Sequence, residues 1–259
     1  MPLALFALTI SAFAIGTTEF VIVGLVPTIA QQLAISLPSA GMLVSIYALG
    51  VAIGAPVLTA LTGRLPRKQL LVALMVLFTA GNLLAWQAPG YMTLIVARLL
   101  TGLAHGVFFS IGSTIATSLV PKEKAASAIA IMFGGLTVAL VTGVPLGTFI
   151  GQHFGWRETF LAVSMLGVIA LISSQLLIPA NIPGRAAASI RDQVKVLTHP
   201  RLLLIYAVTA LGYGGVFTAF TFLAPMMQDL AGFSPAAVSW ILLGYGVSVA
   251  IRKTCGRCH

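Results

Sequence analysis

Residues 55–71 read APVLTALTGRLPRKQLL: an apolar run, a turn carrying Arg64, Arg67 and Lys68, and a second apolar run. On each side the apolar stretch continues for about 20 residues, the length that crosses a bilayer as a helix. The same alternation runs through the chain. Only fourteen Lys and Arg and five Asp and Glu occur among 259 residues. Further basic clusters stand at PKEK (121–124), between Arg185 and Arg201, and in the final RKTCGRCH. The breaks between them, near Pro89, at 152–158 and at 225–234, are almost free of Lys and Arg. Basic loops on one face and neutral loops on the other are the pattern of a polytopic membrane protein with its basic side in the cytoplasm.

Composition agrees. An apolar share of 59% and a mean hydropathy of +1.06 exceed those of a soluble domain. The net charge of +9 suggests nucleic acid in a soluble protein, but here it sits in the loops of one side, where anionic lipid accounts for it. No nucleic-acid motif is present. The first apolar run has no basic n-region and no cleavage site, so it reads as a retained span.

Eight spans are predicted, at 3–26, 39–62, 69–88, 92–117, 126–151, 159–179, 202–223 and 235–251. With a cytoplasmic N-terminus, twelve basic residues fall inside: Arg64, Arg67, Lys68, Lys122, Lys124, Arg185, Arg191, Lys195, Arg201, Arg252, Lys253 and Arg257. Arg157 falls outside and Arg98 within a span. Residues 180–200 form the one long polar loop and divide six spans from two. The links QQLAISLPSA and QDLAGFSPAA match at an offset of 197 residues (Gln31 with Gln228, Pro38 with Pro235), as a parallel duplication of six-span halves would produce. The expected organisation is therefore a six-helix half (1–179), a central cytoplasmic loop (180–200), the first two helices of a second half (202–251) and an aberrant tail (252–259).

Three spans carry polar or small residues that call for explanation. Span one holds Glu19, the only carboxylate inside any span, about 24 Å along its helix from the cytoplasmic end. Span four holds Arg98, with Gly102, His105 and Phe109 following at helical spacing. Arg98 enters from the opposite side and reaches a similar depth, so an acid–base pair with Glu19 is expected; snorkelling to the interface is the other reading of Arg98. Such a pair stabilises the bundle, or its charge state changes with the way the cavity opens. His105 reads as a hydrogen-bonded core residue or a proton carrier. Span five repeats Gly143, Gly147 and Gly151 every four residues, a smooth face for close helix approach, with Pro145 bending the helix between them. Span seven presents Tyr206, Tyr213, Phe217 and Phe220, read as an aromatic cavity lining or a packing stripe.

These features resemble the major facilitator superfamily, and within it the twelve-span drug–proton antiporters that include arabinose-efflux and chloramphenicol-resistance permeases. Arg64, Arg67 and Lys68 match the Arg-x-Gly-Arg-Lys signature of the loop between spans two and three, where Gly63 and Pro66 replace its Asp and Gly. Arg98 and Gly102 match the span-four Arg-x-x-x-Gly motif, with Gly106 offset, and the glycines around Pro145 resemble the antiporter motif of span five. The resemblance implies an all-α helical bundle working by alternating access, with spans one, four and seven lining a midplane cavity. It implies proton-driven efflux of drugs, sugars or small metabolites, with Glu19, Arg98 and His105 as proton-coupling residues and Arg64, Arg67 and Lys68 in the gating loop. It further implies a monomer in the bacterial inner membrane whose partners are small-molecule substrate, protons and the lipid bilayer, with no nucleic acid, no cofactor or metal and no enzymatic activity.

Only eight of twelve expected spans are present, so an inactive truncated copy is the alternative. The end Cys255-Gly-Arg-Cys258-His259 formally matches C-x-x-C-H, the attachment sequence of c-type haem, and a membrane electron carrier is the remote alternative. A cytoplasmic tail argues against it. With one choice of codons, a one-base frame shift would convert Lys-Thr-Cys-Gly-Arg-Cys to Lys-Leu-Val-Gly-Gly-Ala, an apolar continuation, and a truncated or frameshifted twelve-span protein is the expectation.

Overall fold

The computed structural model describes residues 2–62, 65–182 and 198–255, which form helices and turns with no strand among them. Arg64 of the basic turn, residues 183–197 of the central loop with Arg185, Arg191 and Lys195, and the tail residues Arg257, Cys258 and His259 lie outside them. The helices are α1 (Leu3–Gln32), α2 (Leu37–Thr62), α3 (Arg67–Trp86), α4 (Tyr91–Ser118), α5 (Ala125–Val138), α6 (Val144–Phe154), α7 (Trp156–Leu177), α8 (Pro200–Thr221), the short α9 (Leu223–Asp229) and α10 (Pro235–Cys255). Among the described residues seven spans are long and apolar enough to cross a membrane, and Pro235–Ile251 is a shorter apolar helix. Their positions follow the predicted spans within a few residues, except that α1 runs on to Gln32 with Pro27 inside it.

The fifth span is not a single α-helix. A π-helical turn at Ala139–Gly143 joins α5 to α6 immediately before Pro145. Proline has no N–H to donate and its ring crowds the carbonyl four residues back, so a widened preceding turn relieves both problems.

α1 is the axis of the bundle. Near its N-terminus Leu5, Leu8 and Ile15 pack with Phe78, Phe108 and Val163. Near its C-terminus Val21, Ile22 and Leu25 pack with Leu43, Trp156 and Phe160. Lipid tails are as apolar as leucine, so burial of such side chains supplies little drive for helix association; close packing supplies it. The glycines of the fifth span do this work. A Cβ on Gly143, Gly147 or Gly151 would strike Thr17, Val21 or Leu25 of α1, three residues at the same four-residue spacing. Two helix faces with matching periods interlock like a ladder.

α2 and α4 approach equally closely. A Cβ built at Gly50 would lie 2.6 Å from the Leu99 carbonyl oxygen and one at Gly54 2.7 Å from that of Leu103. Reciprocally, Gly102 and Gly106 of α4 meet the carbonyls of Tyr47 and Val51. Glycine on both partners brings the backbones together.

The repeated links have similar shapes. α1 ends before Ala34 at φ 51°, and α9 before Gly232 at φ 69°. Two residues later, Ser36 Oγ accepts from Ser39 N–H at 3.2 Å and Ser234 Oγ from Ala237 N–H at 3.3 Å, each capping the next helix. These paired features lie 198 residues apart, one more than the offset of the matching letters. α8 differs from the other spans: no residue of its most apolar stretch is fully buried.

Candidate functional site

Arg98 stands two turns inside α4 and is 1% exposed. Its Nη1 donates to the Thr18 carbonyl of α1 at 2.9 Å and its Nε to the Leu43 carbonyl of α2 at 3.3 Å. Its guanidinium lies over the Tyr47 ring, with Cζ 4.1 Å from the ring centre. The side chain bolts three helices together. Burial to this degree rules out snorkelling, and the expected direct ion pair with Glu19 is not formed among the described residues. The reason is geometric: helix carbonyls on both sides offer acceptors nearer than the carboxylate. Nη2 has no hydrogen-bond partner among the described residues.

Thr18 continues the network by donating from Oγ1 to Asn82 Oδ1 of α3 at 2.7 Å. Two turns beyond Arg98, the His105 Nδ1 shares a hydrogen bond of 2.8 Å with the Tyr47 hydroxyl, whichever of the two carries the proton. The same nitrogen is 3.9 Å from Glu19 Oε2. Phe109 closes the other side, its ring centre 4.9 Å from that of His105. Glu19, His105 and Tyr47 therefore form one chain of ionisable side chains, Glu19 standing beyond hydrogen-bond distance of His105, backed by the guanidinium of Arg98. The close α2–α4 approach makes this chain possible by bringing Tyr47 within reach of both α4 residues.

The cluster opens on a cavity of about 870 Å³ between α1, α2 and α8. Glu19 and Tyr47 line one wall with Met42, and Tyr213, Phe217 and Phe222 line the facing side. Among the described residues Glu19 is the one charged residue on the wall, its side chain 19% exposed. Arg98 and His105 stay behind Tyr47, off the cavity surface.

Of the four aromatic residues expected on the seventh span, Tyr213 and Phe217 reach this cavity. Phe220 instead packs against Phe20 and Tyr245, with ring centres 6.4 and 5.1 Å away. Tyr206 lies two turns nearer the start of α8, 44% exposed and off the cavity wall. Gly102, Gly143, Gly147 and Gly151 all sit at helix crossings, and Pro145 follows the π-turn. Arg67 and Lys68 open α3 after Pro66, both half-buried, with Lys68 bordering a surface pocket beside Gln69 and Gln175 of α7.

Two residues escaped sequence reasoning. Tyr47 carries no charge and no motif; its signal was a tyrosine one turn before the glycines Gly50 and Gly54, where a buried hydroxyl needs a partner. Arg157, the exception to the charge asymmetry, stacks over Trp156 at 4.4 Å and donates twice to the Ala88 carbonyl, at 2.8 and 3.2 Å. It caps the turn after α3. Among the described residues, no three of His, Cys, Asp or Glu gather as a metal site would need.

A sequence profile of the Major Facilitator Superfamily matches residues 8–257. The chain is 53% identical over 253 residues to the uncharacterized MFS-type transporter YtbD of Bacillus subtilis, covering 98% of this chain and 64% of that protein. It is 45% identical to the inner membrane transport protein YdhP of Escherichia coli, covering 97% and 64%. Over 252 residues it is 37% identical to a chloramphenicol resistance protein of Streptomyces lividans, covering 95% and 64%. The chain thus spans just under two thirds of the length of these relatives. Its fold matches a crystallised bacterial homologue of the human lysosomal transporter Spinster with a TM-score of 0.72, at 20% identity over 95% of this chain and 59% of that one.

Proposed function

The chain belongs to the Major Facilitator Superfamily, and we propose that within it the protein serves proton-coupled efflux of drugs, sugars or small metabolites by alternating access. On this reading residues 1–179 are the first six-helix half, 180–200 the cytoplasmic loop between halves, and 202–251 the opening helices of the second half. The N-terminus is cytoplasmic, which places the basic loops inside, and the membrane is the bacterial inner membrane. The single observation that carries the reading is the Glu19–His105–Tyr47 chain, held by a buried Arg98 and open to the cavity between α1, α2 and α8. An ionisable group inside a membrane is costly, and one that meets both a cavity and a fixed cation is placed where protonation and ligand occupancy affect each other. The relative named for chloramphenicol resistance supports export, and the relative named as an inner membrane protein supports the location.

The test is flux in proteoliposomes under an imposed proton gradient. It is run with the 259-residue chain and with the chain continued by the last third of YtbD. Gradient-driven transport of chloramphenicol, a cationic dye or arabinose by either protein, abolished by Glu19→Gln with substrate binding partly retained, is the expected result. Absence of flux from both, or wild-type gradient-driven flux in Glu19→Gln, overturns the reading.

A further inference from the structure

α3 and α7 meet closely in the middle of the bundle, where a Cβ on Gly167 of α7 would strike Thr79 of α3. Nearer the end that carries the basic loops, a pocket of about 440 Å³ lies between the start of α3 and the end of α7. It shares no residue with the cavity between α1, α2 and α8. Lys68 and Gln69 are the second and third residues of the 20-residue α3, and Gln175 is third from the end of the 22-residue α7. A helix of about 20 residues just crosses the hydrocarbon, so these three side chains stand at the level of the lipid headgroups.

The polar part of the lining suits an anion. Lys68, Gln69 and Gln175 supply an ammonium and two amides, and among the described residues no Asp or Glu borders the pocket. Among those residues no carboxylate lies within ion-pair distance of the Lys68 ammonium, and neither amide makes a side-chain hydrogen bond. The donors are on offer to a group outside the protein. A phosphate diester matches them, because its unesterified oxygens share one negative charge and accept hydrogen bonds.

The apolar part runs into the membrane. Val72 and Ala73 line the pocket about one turn in from Gln69, and Val76, exposed, follows on the same face of α3. On α7, Ile172 and Val168 continue inward from Gln175 at helical spacing, both exposed. A free phosphate ion has no use for such a track; an acyl chain does. An ethanolamine headgroup would bring a second ammonium beside Lys68 with no acid to receive it, so a net negative lipid is preferred to a zwitterionic one.

We propose that the pocket between the start of α3 and the end of α7 binds an anionic phospholipid of the phosphatidylglycerol class. Its phosphate sits on Lys68, Gln69 and Gln175, and an acyl chain follows Val72, Ala73 and Ile172. On the topology proposed above this lipid belongs to the cytoplasmic leaflet; the site itself rests neither on that topology nor on transport.

Ala180 borders the pocket at an exposed position and takes the probe. Bimane is attached to Ala180→Cys in the 259-residue chain carrying Cys255→Ser and Cys258→Ser, purified in non-ionic detergent. The chain is titrated with phosphatidylglycerol, phosphatidylethanolamine or phosphatidylcholine, each with a nitroxide near the top of one acyl chain. Phosphatidylglycerol should quench half-maximally at a mole fraction at least about fivefold below that of either zwitterionic lipid. Lys68→Gln should erase this preference and Lys68→Arg should keep it. Gln175→Glu, at an exposed position on the other helix, should also erase it. Lys122→Gln removes a cation from another basic loop, outside the pocket, and should leave the preference unchanged. Excess unlabelled phosphatidylglycerol should restore the fluorescence, whereas its deacylated form, glycerophosphoglycerol, should not. Equal quenching by the three lipids, a preference that survives Lys68→Gln or Gln175→Glu, or an equal loss in Lys122→Gln overturns the proposal. Displacement by glycerophosphoglycerol as effective as by the whole lipid overturns it in favour of a free anion. Lipid preference without flux would overturn the transport reading and leave this site standing, and flux without lipid preference would do the reverse.

Discussion

A guanidinium inside a bilayer is tolerated when protein replaces its water, and Arg98 shows which protein groups do so. Two backbone carbonyls and one ring face take that part, and among the described residues no carboxylate pairs with it directly. Truncating it to alanine removes interhelical bonds to α1 and α2 together. Arg98→Ala should cost about 1–2 kcal/mol, read as a lower apparent Tm of the purified protein in detergent. Arg98→Lys should recover less than half of the loss, because one ammonium cannot reach both carbonyls and stack on Tyr47. An unchanged Tm in Arg98→Ala would contradict the bolting role. Tyr47 separates two functions within one side chain. Tyr47→Phe keeps the ring under Arg98 but removes the partner of His105, so thermal stability should hold while the pH profile of transport shifts. Tyr47→Ala should lower both. Equal transport profiles for wild type and Tyr47→Phe would place the hydroxyl outside the coupling.

At the scale of helices, small residues set the distances on which those contacts depend. The Gly143–Gly147–Gly151 face was legible because a four-residue repeat is visible in a string of letters. Its partner, Thr17, Val21 and Leu25, was not, since nothing local marks those side chains as facing glycine. The α2–α4 crossing was half legible: Gly102 stood in a motif, whereas Gly50 and Gly54 passed unremarked. Gly102→Val places two methyl groups against the Tyr47 carbonyl and forces α2 away from α4. It should cost about 1–3 kcal/mol of stability and lengthen the Tyr47–His105 contact. The check is the distance between spin labels on α2 and α4, together with loss of the transport that Tyr47 supports. Gly90→Val, at a turn position where an added Cβ meets nothing, is the control expected to leave both unchanged.

For the molecule as a whole, the decisive quantity is which loops face the cytoplasm. With the basic loops inside, cysteines placed at 122–124 or 198–199 should resist a membrane-impermeant thiol reagent in intact cells. Cysteines placed at 87–90 or 152–155 should react. Labelling of the first set and protection of the second would invert the proposed topology. Arg157 fits this arrangement only because of its tertiary contacts, which fasten it to the Ala88 carbonyl. The shallow burial of α8 belongs to this scale too. Its aromatic residues divide between cavity and packing according to which neighbours reach them, α1 and α2 for Tyr213 and Phe217, α1 and α10 for Phe220.

The chain's letters alone determined the membrane class, the approximate limits of the spans, and the depth of Glu19 and Arg98 in their helices. Each follows from a one-dimensional quantity, either the length of an apolar run set by bilayer thickness or the placing of charge set by its cost in hydrocarbon. The pairing of side chains was decided only by the tertiary structure. A residue at the right depth has neighbours all round its helix, and rotation about the helix axis, fixed by glycines on other spans, selects among them. That rotation turned Arg98 to carbonyls and to Tyr47, drew His105 to the same tyrosine, and left Glu19 facing an open cavity.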